Sequence, residues 1–263
     1  MTMDESRRNF LKIAGCSAVG VAWGIPVVRA IGKALQAEPA PGALAGKHWA
    51  LAIDIQKCMS PDVARACQQV CHKIHNVPKI DDPEEEIKWI WEEKFDNAFP
   101  DKVHEFTTDS LKGKPVMVLC NHCERPSCVR VCPTQATWKR EDGIVMMDMH
   151  RCIGCRYCIV ACPFGARSFN WSDPRPHIKP EIDPEFPTRT KGVVEKCNLC
   201  AERLAKGLGP ACVDAANQVA GGGAMYFGDL DDPDSEIVQV LRSRLSLQRR
   251  PHLGTQPNVF YLV

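Results

Sequence analysis

The sequence predicts an α+β fold of two small modules, with short strands and short helices joined by long loops. Three observations lead there. Fifteen cysteines stand among 263 residues, most of them in tight runs. The segments around those runs repeat: Ala52-Ile53-Asp54-Ile55-Gln56-Lys57-Cys58 matches Met146-Met147-Asp148-Met149-His150-Arg151-Cys152, and Cys132-Pro133-Thr134-Gln135-Ala136 matches Cys162-Pro163-Phe164-Gly165-Ala166. Asp142-Gly143, between Trp138 and Ile144, is a turn signal that joins two strands as a hairpin. Self-similarity of this kind marks a fold built by repeating one unit. Each unit reads as a short strand, a cysteine-bearing loop, a short helix and a second strand.

The first thirty residues precede the fold. Ser6-Arg7-Arg8-Asn9-Phe10-Leu11-Lys12 is a twin-arginine signature, and an apolar stretch from Ile13 to Val28 follows it. Val28-Arg29-Ala30 supplies a small-residue cleavage site, with Ala37 a poorer one. Ile13-Ala14-Gly15-Cys16 has the form of a lipoprotein box but lies too close to the arginines to serve as one. If retained, the apolar stretch is short for a membrane span. Residues 31–47 read as a linker, rich in Ala, Pro and Gly from residue 38. Export of this kind is a route for folded proteins, so a metal-bearing chain would be loaded before it crosses.

Bulk composition excludes several functions. With 44% hydrophobic and 25% charged residues and a formal net charge of +1, the chain has no basic footprint for nucleic acid. It is also long enough to bury a core without a disulfide framework. Two helices fall outside the repeat. Asp82-Pro83-Glu84 opens one over 82–95, with Ile87, Ile90, Trp91 and Phe95 on one face. Asp232-Pro233 opens another, ending near Arg242 and Arg244, and 257–263 reads as a terminal strand.

The cysteine spacing carries the chemistry. Cys152-x2-Cys155-x2-Cys158-x3-Cys162-Pro163 is the run that holds [4Fe-4S] clusters in bacterial two-cluster ferredoxins. Three thiolates on a tight loop reach three corners of one cubane. The fourth sits on the helix beyond, turned toward the other cluster. Cys120-x2-Cys123-x4-Cys128-x3-Cys132-Pro133 is the same device with a longer loop. Crossing the ligands gives Cys120, Cys123 and Cys128 with Cys162, and Cys152, Cys155 and Cys158 with Cys132. Structural zinc also takes four thiolates, but from two separated pairs rather than one run closed by proline.

The remaining runs are incomplete. Cys197-x2-Cys200-x11-Cys212 lacks its fourth cysteine, because Ala216 stands there, and Cys58-x8-Cys67-x3-Cys71 lacks its second. Crossed as before, Cys197, Cys200 and Cys212 take Cys71 and make a third whole site. Cys58 and Cys67 are then orphans, either free thiols or a disulfide in an exported protein. Twelve ligands, two orphans and Cys16 account for all fifteen cysteines. Cys67-x3-Cys71-His72 misses a haem attachment motif by one residue. His122 and His150 lie beside the runs as neighbours or surface groups rather than ligands, and no residue reads as a substrate-activating catalyst.

Two pairs of such runs in this order resemble the four-cluster, ferredoxin-like electron-transfer subunits of the dimethyl sulfoxide and polysulfide reductase families. Gly228-Asp229-Leu230-Asp231-Asp232-Pro233 and Pro257-Asn258-Val259-Phe260-Tyr261-Leu262 resemble the end of those subunits. The resemblance covers nearly all of the mature chain, and implies an inner module over 118–189 and an outer one over 48–117 plus 190–263. It implies three [4Fe-4S] clusters here, with the Cys58 run and Ala216 departing from a fourth. It implies as partners an NrfD-type integral membrane, quinone-reactive subunit and a multihaem cytochrome c, on the periplasmic side of the membrane. A molybdopterin reductase partner is the alternative. Neither nucleic acid nor a small-molecule substrate of the chain's own is expected.

Overall fold

The computed structural model describes residues 43–263, so the export signal, Cys16 and the linker up to residue 42 lie outside the described residues. Strand β1 (Trp49–Asp54) runs into helices α1 (Ile55–Cys58) and α2 (Pro61–Ile74). Strand β2 (Ile90–Lys94), helix α3 (Phe95–Ala98) and strand β3 (Pro115–Leu119) come next. Helix α4 (Ser127–Arg130), strands β4 (Thr137–Lys139) and β5 (Val145–Met147), helix α5 (Tyr157–Val160) and strand β6 (Ser168–Phe169) follow. Then come strand β7 (Val194–Glu195) and helices α6 (Ala201–Leu204) and α7 (Ala211–Ala220). Strand β8 (Met225–Asp229), helix α8 (Glu236–Ser243) and strands β9 (Ser246–Leu247) and β10 (Val259–Leu262) close the chain. The α+β class read from the sequence holds, and the described residues cohere as one unit.

One four-stranded sheet, ordered β8-β1-β10-β9, anchors the fold, and three two-stranded ribbons pair β2 with β3, β4 with β5, and β6 with β7. Strand β1 pairs antiparallel with β8 and parallel with β10, with Ile53 opposite Met225 and Tyr261. All six of its residues are buried, as a central strand requires. The side-chain alternation of a strand divides them between two cores. Leu51 and Ile53 join Val63, Phe95, Phe99 and Tyr261, while Ala50 and Ala52 meet Ile237 and Val238 of α8. Each fully buried Leu or Ile contributes roughly 1.5–3 kcal/mol. Gly228 lets α8 approach β8, since a Cβ there would run into the Ser235 and Ile237 side chains.

The expected helix over 82–95 is not formed. Glu84 N–H donates to Asp82 Oδ1 at 2.9 Å, so Asp82-Pro83-Glu84 makes a local turn instead of a helix start. Ile90–Lys94 is strand β2, with Trp91 opposite Val118 of β3. The helical spacing of Ile87, Ile90 and Trp91 was coincidental: Trp89, Ile90 and Trp91 are buried in succession, as a strand covered on both faces allows. The late helix exists but starts at Glu236, after Ser235, because Asp234 N–H bonds Asp232 Oδ1 at 3.0 Å and turns the chain first. Arg242 lies in its last turn, and Arg244 just beyond pairs with Asp54, Nη1 to Oδ2 at 2.7 Å. The hairpin at Asp142-Gly143 and the terminal strand are both present.

Candidate metal centres

Strand β3 delivers the chain into the first cysteine loop, and Ser127 Oγ donates to the Ala161 carbonyl at 2.7 Å, tying α4 to the end of α5. That contact brings Cys162 across to the loop of Cys120, Cys123 and Cys128. The four line one small cavity with Val145, Phe164 and Arg167. Cys120 is buried and the other three partly so.

The second loop follows β5 in the same way. Cys152, Cys155, Cys158 and Cys132 line a small cavity with Met147, Ile153 and Val194. Gly154 makes the loop possible twice over. Its φ is +69°, and a Cβ there would run into the Gly192 carbonyl. Cys155 is exposed, so this site opens to the surface.

The third set gathers where α2 lies against α7. Cys71 stands in the last turn of α2, Cys212 in the first turn of α7, and Cys197 and Cys200 on the loop after β7. Small residues on α7, Ala211 and Ala216, let the helices close together, and all four thiols are buried. Leu199 and Cys200 both hold left-handed backbone, with φ of +57° and +51°, folding the loop tightly enough for Leu199 N–H to reach Cys197 Sγ at 3.4 Å. His75 donates from Nδ1 to the Cys71 carbonyl at 2.9 Å, while its Nε2 stands 2.7 Å from Glu202 Oε1.

The electrostatics fit an all-thiolate metal site. Burial pushes Cys71 and Cys212 well up, and the neighbouring thiols of the set push the same way. Burial likewise raises Cys123 and Cys197 to about 12. A protein interior does not hold four thiolates together without a cation, and a bound metal takes the thiol proton's place. Burial also raises Cys120, but the Lys196 ammonium and His122 outweigh it and hold that thiol well below its usual range. His122 Nδ1 accepts from Val145 N–H at 3.1 Å, which leaves the proton on Nε2, and that buried N–H has no acceptor among the described residues. An inorganic sulfide beside Cys120 would be one. Four soft donors, a cavity among them and an N–H lacking an acceptor are what an iron–sulfur cluster needs.

The orphan cysteines border the third set. Cys58 donates to the Ala224 carbonyl and Cys67 to the Cys212 carbonyl, each at 3.3 Å, and both are free thiols. They share a buried apolar cluster with Ala216, Val63 and Tyr261. His150 is a surface group with its side chain 98% exposed, whereas His122 is buried beside Cys120.

Sequence reasoning passed over Arg167 and Lys196, both buried against these cysteines. A signal existed for one of them. Lys196 fills the slot before the first cysteine of its run, as Lys57 and Arg151 do, but those two are exposed and only the fold separates them.

The fold and these thiol sites define a ferredoxin-like iron–sulfur protein. Residues 115–175 match the 4Fe-4S dicluster domain family. The chain is 40% identical to the Hdr-like menaquinol oxidoreductase iron-sulfur subunit 1 of Archaeoglobus fulgidus, over 97% of each chain. It is 32% identical to the menaquinone reductase iron-sulfur cluster-binding subunit of Nitratidesulfovibrio vulgaris, over 81% of this chain and 88% of that one. With the B polypeptide of the Wolinella succinogenes polysulfide reductase it shares 42% identity, over 54% of this chain and 63% of that one. The chain therefore belongs to the family of iron–sulfur electron-transfer subunits of oxidoreductase complexes.

Proposed function

We propose that this chain relays electrons through three [4Fe-4S] clusters between an NrfD-type, quinone-reactive membrane subunit and a multihaem cytochrome c. The observation that carries it is the gathering of twelve cysteines into three sets of four. Cys120, Cys123, Cys128 and Cys162 hold one cluster. Cys152, Cys155, Cys158 and Cys132 hold the second, and Cys71, Cys197, Cys200 and Cys212 the third. When bound, the clusters would supply one-electron carriage. The protein's part is to fix the thiolates, exclude water from the Cys197 set and leave Cys155 at the surface. The chain itself activates no substrate.

On this reading the protein is the counterpart of DsrO, the periplasmic iron–sulfur subunit of the DsrMKJOP membrane complex of sulfur metabolism and sulfite reduction. It is exported by the twin-arginine route. The menaquinol and menaquinone relatives support a quinone-linked partner. The polysulfide reductase relative supports a second reading, in which the partner is a molybdopterin subunit. Isolating the native complex and identifying its subunits decides between them. A haem c subunit supports the first reading, and a molybdopterin subunit overturns it in favour of the second. Iron and acid-labile sulfide near twelve atoms per chain are expected from about four per cluster.

A further inference from the structure

Among the described residues three buried cations have no carboxylate in salt-bridge reach; Arg249 lies over the Phe164 ring, and the other two, Arg167 and Lys196, stand directly against the cysteine sets. Arg167 is 4% exposed. Its Nη2 donates to Cys128 Sγ at 3.1 Å and to Thr137 Oγ1 at 2.8 Å, and its Nη1 to Met147 Sδ at 3.7 Å. Lys196 is 2% exposed, and its Nζ donates to the carbonyls of Val145 and Cys197. Arg189 shows the ordinary solution, since it pairs with Glu195 and both side chains are fully buried. Arg167 and Lys196 have no such partner, and an uncompensated buried charge is costly.

Their neighbours supply the missing charge. Arg167 lines the Cys120 cavity and reaches Met147, which lines the Cys152 cavity. Its guanidinium thus touches a cysteine of one set and a wall of the other. Lys196 Nζ donates on one side to the carbonyl of Val145, which lines the Cys120 cavity, and on the other to the carbonyl of Cys197 in the third set. One cation therefore stands at each junction between adjacent sets, and the Cys120 set touches both.

We propose that Arg167 and Lys196 are the standing counter-charges of the two cluster-to-cluster junctions, each holding up the reduction potentials of the two clusters it separates. The proposal rests on the three-cluster reading above. A cubane with four thiolates is an anion, and an added electron makes it more negative. A fixed positive charge nearby therefore favours the reduced form, more so in a water-poor interior. Uptake of an electron on either side of a junction draws on the same cation.

The test is potentiometric titration of the native complex, followed by paramagnetic resonance. The variants are Arg167→Gln and Lys196→Gln, with Arg167→Lys and Lys196→Arg as charge-keeping partners. Each Gln variant is expected to lower two potentials and leave the third in place. One cluster shifts in both variants, and each of the others in one only. The charge-keeping variants stay near wild type. Unchanged potentials, a common shift of all three clusters, or equal shifts in the charge-keeping variants would overturn the proposal. Where a Gln variant loses a cluster, iron per chain becomes the readout. Retention in the charge-keeping partner supports the proposal, and loss in both overturns it. Wild-type iron, measured first, judges the three-cluster reading separately. The potentials of whichever clusters are present still report the effect of the charge.

Discussion

The thiol of Cys67 donates a hydrogen bond to the carbonyl of Cys212 across 3.3 Å, linking a cysteine outside the gathered sets to the backbone of one inside them. Burial pushes Cys67 up to about 12 and raises Cys58 as well. Both are therefore protonated and poor nucleophiles at neutral pH. Neither is expected to react with an alkylating agent in the folded protein. Both should be alkylated after denaturation without reductant, as mass spectrometry would record. A pair that stays unlabelled until reductant is added would reveal a disulfide.

Removing a cysteine should have different consequences inside and outside the gathered sets. Cys71→Ser replaces a soft thiolate in the Cys197 set by a hydroxyl, a poor ligand for cluster iron. It should cost one whole cluster, about four irons, and weaken the α2–α7 contact, because metal-binding energy is also folding energy. Cys58→Ser should leave iron near twelve per chain at about four per cluster. A loss of iron from Cys58→Ser, or sixteen irons in the wild type, would show that a fourth cluster is present.

The contrast between these two residues marks what was legible in the sequence. Ligand spacing is constrained by the size of a cubane, so the runs declare themselves, and each of two cavities is lined by cysteines drawn from both runs. The segment over 82–95 carried no such constraint. A few apolar residues fit the helical period, and pairing of Trp91 with Val118 overrode it. The buried cations were illegible for a related reason. Nothing in Glu195-Lys196-Cys197 tells that this lysine is enclosed while Lys57 in the same slot faces solvent.

Gly154→Ala tests the loop geometry of the Cys152 set. The left-handed backbone alone costs a non-glycine residue about 1–2 kcal/mol, and the Gly192 carbonyl blocks the new methyl group. The variant should lose the iron of this set and melt at lower temperature. Gly192→Ala is the control. Its φ is +89°, but nothing stands within 4 Å of its Cβ position, so it should lose stability without losing iron.

Asp229 predicts a pH dependence. Its carboxylate accepts from Lys47 N–H at 2.8 Å and from His48 and Asp231 N–H at 3.0 Å, fastening the approach to β1 onto the end of β8. Burial raises its pKa, but these N–H groups outweigh that and hold it below the ordinary carboxylate value. A depressed carboxylate stabilises the fold above its unfolded pKa, about 4, and ceases to as pH falls through the lower folded value. Wild type should therefore be more stable than Asp229→Asn at pH 7, with the difference vanishing under acid. Denaturant titrations of both across that range would measure it, and a constant gap would refute it.

Arg7→Lys with Arg8→Lys tests export. The double variant should accumulate in the cytoplasm while the wild type is recovered from the periplasm, as fractionation and immunoblotting would show. Equal export of both would remove the twin-arginine assignment.

The pairing of β1 with β10 sets the timing of biosynthesis. Val259–Leu262 lies beside Leu51–Asp54, so β1 has an open edge until β10 has been made. At about 5–20 residues per second that wait lasts roughly 10–40 s. Cys71 waits about two-thirds as long for Cys212, at the same rate of synthesis. The four-stranded sheet therefore closes only once β10 has emerged. A nascent chain stalled short of Val259 would present an unpaired apolar strand to chaperones and to its own copies.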